Sequence, residues 1–189
     1  MDKIFDRVKR ILVSPQEALV EVKSETMTVA DTMKNYVAYV AAIPAAAWLI
    51  GLLGRAPFFR AIMYSLLTYA MGLAMVFIFG KVVNALAPHF NSTKNDLNAF
   101  KLAMYCYTPG FVAGVFNINP TLSILATLGS LYGIYVFYLG LPVLMETPED
   151  KRIVYTIVTV IVMIIVVVIL GSIVTALAWG GLASSFRYY

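Results

Sequence analysis

Charged side chains are scarce in this chain. Only 13% of its 189 residues are Asp, Glu, Lys or Arg, while 61% are hydrophobic and the mean hydropathy is +0.83. Soluble domains carry about 25% charged residues. A water-soluble globule of this size could not cover its surface with so few charges. The composition therefore predicts a membrane protein and argues against a soluble enzyme or binding module.

Cysteine and histidine are almost absent as well, with one of each, Cys106 and His89. A single cysteine excludes an internal disulfide and a multi-cysteine metal site. His89 has no second histidine with which to form an H-E-x-x-H motif, and no G-x-S-x-G elbow occurs. We therefore predict no catalytic residue, no metal ligand and no cofactor. The chain is not expected to be an enzyme.

The few charges leave four long uncharged gaps. They enclose 20, 20, 44 and 34 residues, between Lys34 and Arg55, Arg60 and Lys81, Lys101 and Glu146, and Arg152 and Arg187. A helix rises about 1.5 Å per residue and the hydrocarbon core is about 30 Å thick, so about 20 residues cross once. The predicted fold is all-α, a polytopic membrane protein with five spans near 36–54, 61–86, 97–116, 120–144 and 153–179.

The basic residues predict the orientation of these spans. Eleven lie before the first span, between the second and third, or between the fourth and fifth, and three lie on the opposite side. Lys and Arg near span ends mark the cytoplasmic side. We therefore expect a cell-membrane protein with its N-terminus in the cytoplasm and its C-terminus outside. Because the basic residues flank the spans instead of clustering, no nucleic-acid partner is expected.

The first 27 residues differ from the rest and form a predicted cytoplasmic segment, followed by a membrane domain over 28–189. The apolar residues of the first helix fall within an arc of about 120°, which predicts an amphipathic helix: Ile4, Phe5, Val8, Ile11 and Leu12. Ser14-Pro15-Gln16-Glu17 resembles a capping box that begins a second short helix. The first helix could lie in the membrane plane or pack on cytoplasmic loops of the protein. The sequence leaves both open.

The 44-residue gap is predicted to form a helical hairpin that turns at Asn117-Ile118-Asn119-Pro120. Residues 102–116 span only about 22 Å as a helix. Either the third helix starts earlier and Lys101 snorkels to the interface, or the pair dips in without crossing. Small residues share one face of each helix and predict close packing: Ala103, Cys106, Gly110 and Gly114, then Gly129, Gly133 and Gly140. Exposed faces of this kind would also support a homo-oligomer.

Proline breaks within spans are also found in helices that line a substrate path. The alternative function is therefore a small transporter or channel component that uses the hairpin broken at Pro109. Its candidate ligand or pathway residues are Tyr107, Thr108, Pro109, Asn117, Asn119, Tyr132 and Tyr135. A candidate partner loop on the cytoplasmic side contains Glu146, Pro148, Asp150 and Lys151.

The stretch LYGIYVFYLGLPVLMETPEDKRIVYT, residues 131–156, resembles the bacterial branch of the Yip family, membrane proteins related to Ypt-interacting proteins. The resemblance is carried by Tyr132, Tyr135, Tyr138-Leu139-Gly140-Leu141-Pro142, Met145 and Pro148-Glu149-Asp150-Lys151, with weaker likeness at Tyr107-Thr108-Pro109 and Ser14-Pro15. It implies a five-span helical fold with a cytoplasmic N-terminus, in the cytoplasmic membrane. Eukaryotic relatives contact Rab-type GTPases, but this chain lacks their long acidic N-terminal region and Asp-Leu-Tyr-Gly-Pro element.

The functional hypothesis is accordingly a non-enzymatic membrane protein that organises protein or lipid partners. The expected partners are membrane lipids and other membrane proteins or further copies of the chain.

Overall fold

A computed structural model describes residues 2–26 and 28–179. Over these residues every regular element is a helix, which confirms the all-α prediction. We number the main helices α1 Asp2–Val13, α2 Pro15–Ser24, α3 Val29–Leu52, α4 Phe58–Leu86, α5 Asp96–Ala113, α6 Ser123–Leu144 and α7 Glu149–Trp179. The end of the chain beyond 179, including Arg187, lies outside the described residues.

Four helices in the described part of the chain are long and apolar enough to cross a membrane. They are Val29–Leu52, Phe58–Phe90, Ser123–Leu144 and Glu149–Leu177. They overlap the first, second, fourth and fifth predicted spans. The third predicted span, 97–116, overlaps α5, which is not among the four. Helix α5 begins at Asp96 and carries Lys101, so its composition is more polar than that of its neighbours.

Helix α5 is nevertheless the centre of the fold. Eleven of its 18 residues are buried, and it packs against α1, α3, α4 and α6, most extensively against α6. Helix α7 is mostly exposed by contrast, as expected for a wall of β-branched residues that faces lipid. The small and polar residues that lower the hydropathy of α5 are the ones that allow close contact on several sides.

The turn between α5 and α6 lies where the sequence predicts it. Two 3₁₀ turns, Gly114–Ile118 and Pro120–Leu122, reverse the chain, and the Asn119 side chain accepts a hydrogen bond from the Thr121 amide at 3.0 Å. The second short helix predicted from Ser14-Pro15-Gln16-Glu17 is present as α2, and Pro15 is its first residue, a position that the fixed φ of proline suits. The capping box itself is wrong, because the Ser14 side chain makes no cap hydrogen bond.

Candidate functional site

The contact between α5 and α6 is made by small residues. A β-carbon added at Gly133 would collide with the Cys106 carbonyl oxygen. One added at Gly129 would collide with the Ala113 side chain and lie 2.8 Å from the Pro109 carbonyl oxygen. Because backbone atoms occupy this space, only glycine allows the two helices to approach so closely.

Other predicted small residues pack within the fold too. A β-carbon at Gly114 would lie 2.6 Å from Pro44 of α3, and one at Gly110 would lie 3.0 Å from the Ser130 hydroxyl. Gly140 faces Leu102 and Leu19, and Ala103 is fully buried. The small-residue faces are therefore not exposed. The fold itself uses these residues for contacts between its own helices, and the homo-oligomer stays a prediction.

The N-terminal helices α1 and α2 form a hairpin that lies against α5 and α6. Ile11 of α1 and Leu19 of α2 are fully buried. The Tyr132 hydroxyl of α6 donates a hydrogen bond to the Leu12 carbonyl at 3.0 Å. Of the two alternatives for α1, packing on the protein describes the structure better, although the contact is with helices instead of loops. Phe5 is 69% exposed and does not share in this packing.

Charged groups hold this N-terminal hairpin in place. Arg7 donates to the Tyr105 hydroxyl at 2.7 Å and to the Glu25 carboxylate at 2.6 Å. It therefore connects α1 to α5 and also to the residue that follows α2. Hydrogen bonds that involve a charged group are stronger than neutral ones.

Lys101 makes the second charged contact. Its ammonium donates to the carbonyl oxygens of Val22 at 2.8 Å and Glu25 at 2.5 Å, and the residue is only 4% exposed. These carbonyls end α2, where the helix dipole favours a cation. The snorkelling predicted for Lys101 is wrong, because its ammonium is turned towards α2 and not towards water.

A further polar contact lies deeper, between α3 and α5. Thr108 donates to the Met104 carbonyl at 3.1 Å and shares a 2.8 Å hydrogen bond with the Tyr36 hydroxyl. Since the threonine proton is used on Met104, Tyr36 is the donor of the second bond. Both side chains are buried, so this bond orients α3 against α5.

Glu146 of the predicted partner loop connects three segments. Its carboxylate accepts hydrogen bonds from Lys23 at 3.0 Å and Thr93 at 2.8 Å. These bonds and the charge of Lys23 lower the pKa of the Glu146 carboxyl below its ordinary value of 4.5. Lys151 pairs with the adjacent Asp150 at 3.6 Å, and Pro148 precedes α7. Glu146 thus serves the protein's own structure, while Asp150 remains exposed.

A cavity of about 670 Å³ lies on the other side of the α5–α6 pair from the N-terminal hairpin. Its floor is α5, its walls are α4, α6 and α7, and Pro44 and Trp48 of α3 contribute to one edge. The lining is mostly apolar, and none of the described residues that line it is charged. Ligand sites are typically cavities of about 300–1,000 Å³ with apolar walls and a few polar groups.

Residues 9–170, most of the chain, match the family model of the Yip1 domain. This chain belongs to the Yip1 domain family. The Yip1 match is accompanied by curated relatives named inner membrane protein YohC, from two strains of Escherichia coli, K12 and O6:H1. Each is 22% identical over 180 residues, covering 88% of this chain and 92% of the relative. No solved structure is significantly similar.

The candidate pathway residues of this Yip1-domain protein do not form one site. Tyr107 and Asn117 line the cavity. Pro109 and Tyr132 border a separate groove beside Leu12, on the N-terminal hairpin side. The others have different surroundings: Thr108 is bonded to Tyr36, Asn119 to the Thr121 amide, and Tyr135 is half exposed beside Tyr132.

Several residues that matter in the structure of this Yip1-domain protein were not singled out from the sequence. Arg7 counts among the topological charges of the sequence, yet it donates to both Glu25 and Tyr105. The charge pattern places Arg55 on the outer flank of a span, yet it also donates to carbonyls of α3 and of the α5–α6 turn. The positions of the charges along the sequence do not indicate these partners, since the residues in contact are distant in sequence.

Proposed function

We propose that this Yip1-domain chain is a non-enzymatic, five-span protein of the cytoplasmic membrane that organises lipid partners. The observation that carries the proposal is the uncharged, apolar and partly open cavity between α4, α6 and α7. An ion path needs polar or charged groups along its length. The described lining has no charged residue, and its polar groups are few among apolar ones. Apolar walls among membrane helices suit hydrocarbon.

The number of spans is supported by contacts at one end of the bundle. The Thr93 amide, just before α5, donates to the Met145 carbonyl, just after α6, at 2.8 Å. The start of α5 and the end of α6 therefore lie on the same side. Helix α6 is long enough to cross. If α6 crosses, the chain from Thr93 to Ser123 must cross as well, which favours a full fifth span over a shallow re-entrant pair.

The orientation, with the N-terminus in the cytoplasm, is supported by the same set of contacts. Lys23, Thr93 and Glu146 meet at one end of the bundle. All three belong to segments in which basic residues are concentrated, the pattern of cytoplasmic loops. The name of the YohC relatives, inner membrane proteins, supports the cytoplasmic membrane as the location.

Lipid retention and solute flux together test the proposed function. Native mass spectrometry of the chain, purified in a mild detergent, should detect phospholipid retained through repeated delipidating washes. Liposomes containing the chain should take up ions and small solutes no faster than empty liposomes. Chains free of lipid after the first wash, or rapid uptake of any solute, would contradict the proposal.

A further inference from the structure

The cavity has a direction, which its lining residues define. Along α6 the lining runs from Ser123 to Phe137, a distance of about 21 Å at 1.5 Å per residue. This exceeds the hydrocarbon thickness of one leaflet, half of about 30 Å. The cavity is therefore long enough to accept an acyl chain along its length.

The two ends of the cavity differ in polarity. Near the start of α6 it is lined by Asn117, Ser123 and Thr127. At the far end the rings of Phe79 and Phe137 pack edge to face, with centroids 5.0 Å apart. A lipid shows the same gradient, because its headgroup is polar and its chain ends are apolar. The polar end faces the side that the charge pattern places outside the cytoplasm.

A cationic side chain lies beside that polar end. Arg55 donates from Nη1 to the Gly51 carbonyl at 2.9 Å and to the Ile118 carbonyl at 3.4 Å. Gly51 itself packs on the backbone of Asn117, a cavity-lining residue. A guanidinium has five N–H donors, and both of these bonds come from one nitrogen, so donors remain for a further acceptor. Arginine matches the geometry of phosphate oxygens well.

We propose that the cavity and Arg55 form one site for a phospholipid of the leaflet away from the cytoplasm. One acyl chain lies along α6 towards Phe137, and the phosphate binds Arg55. The helices that form the cavity are surrounded by acyl chains in the hydrocarbon core. Because the cavity opens into this core, its occupant is an acyl chain of a lipid. This inference rests on the proposed function and adds the leaflet, the direction of the chain and the partner of the phosphate.

Trp48 provides a reporter, since it lines the cavity and the chain has only two tryptophans. In a Trp179→Phe background, Trp48 fluorescence is measured in phosphatidylcholine vesicles. The vesicles contain a small fraction of either a phospholipid or a diacylglycerol, each brominated on its acyl chains. Bromine quenches tryptophan at short range. We expect stronger quenching by the phospholipid than by the diacylglycerol, because the diacylglycerol has no phosphate.

Two variants fill the cavity, Ala126→Phe from α6 and Val168→Phe from α7. Their controls, Leu128→Phe on α6 and Ile169→Phe on α7, change exposed residues that do not line the cavity. The filling variants should lose quenching by both brominated lipids, while the controls keep it. Each variant is checked for an unchanged unfolding transition. If both filling variants fold and are quenched like the parent protein, no acyl chain occupies the cavity and the proposed site is refuted. This holds even if native mass spectrometry shows that the protein retains lipid.

Arg55→Gln tests the phosphate partner, with Arg60→Gln as its matched control. Arg55→Gln should abolish the excess quenching by phospholipid over diacylglycerol and leave the diacylglycerol signal unchanged; Arg60→Gln should change neither. A different outcome is that Arg55→Gln keeps the excess of phospholipid quenching over diacylglycerol quenching while the filling variants lose quenching. In that case the site for the acyl chain stands, and the assignment of the phosphate to Arg55 is refuted. The proposed function itself fails if the washed protein retains no lipid or if liposomes that contain it take up a solute rapidly.

Discussion

The Lys101 ammonium lies 2.8 Å from the carbonyl oxygen of Val22, although 79 residues separate the two in sequence. This contact joins the central helix α5 to the end of α2. It places a cation at the carbonyl groups that end α2, of which that of Val22 also accepts from the Glu25 amide at 3.2 Å. The position of the N-terminal hairpin therefore depends on a residue that by sequence belongs to a membrane span.

Lys101→Met should loosen the N-terminal hairpin. Removing the ammonium takes a donor from the Glu25 carbonyl, whereas the Val22 carbonyl keeps its bond from the Glu25 amide at 3.2 Å. A group left unsatisfied costs about 1–3 kcal/mol. We expect a lower free energy of unfolding in detergent and faster proteolysis within residues 1–25. Lys94→Met, at an exposed position before α5, is the control. Equal stability and equal protease resistance of the two variants would show that the Lys101 contacts do not hold the hairpin.

Gly133→Leu should destabilise the α5–α6 contact. Its β-carbon would meet the Cys106 carbonyl, a backbone atom that cannot move without shifting the helix. Overpacking typically costs about 1–3 kcal/mol. Ile164→Leu, at a position 56% exposed on α7, should change the free energy of unfolding little. The comparison is made by denaturant unfolding in the same detergent, and equal tolerance of both substitutions would refute the role of the small-residue faces.

The contact of Glu146 with Lys23 and Thr93 should weaken in acid. Its pKa is lowered in the folded state, so its contribution to stability is present above the ordinary value of 4.5 and is lost as the pH falls through the folded pKa. The difference in unfolding free energy between the native chain and Glu146→Gln should therefore shrink below pH 4.5. Glu149→Gln serves as the comparison. A difference that stays constant from neutral pH to pH 3 would argue against this ion pair as a source of stability.

Five spans with the N-terminus inside can be tested by labelling single cysteines in intact and permeabilised cells. Cys106 is buried, so the native thiol should give little background. Lys9→Cys and Asp150→Cys should be protected from an impermeant reagent in intact cells, and Thr121→Cys should react. If Thr121→Cys and Asp150→Cys react from the same side, α6 does not cross and the five-span topology is wrong.

The all-α class could be predicted from the sequence because it depends only on the length of each uncharged stretch and on the rise per residue of a helix, which are both local quantities. The turn at Asn117-Ile118-Asn119-Pro120 followed from turn residues for the same reason. The sequence also indicated which glycines share a face. It could not indicate that Gly114 packs on Pro44 of α3 instead of on lipid or another copy, since that depends on how α3 and α5 are placed side by side.

The cavity and the N-terminal hairpin contacts were beyond sequence reasoning. A cavity forms where helices diverge, and the residues that line it, such as Ser130 and Met163, look like ordinary span residues. The sequence predicts Lys101 as a snorkelling side chain, whereas the structure buries it against α2. Only the position of the α2 carbonyls decides between them.

The bond from Tyr132 to Leu12 spans 120 residues, which imposes an order on biosynthesis. At about 5–20 residues per second, the first helix is synthesised about 6–24 seconds before its partner on α6. Until then its apolar side needs another cover, such as a chaperone or the membrane surface. The segment synthesised first is therefore among the last to reach its final place.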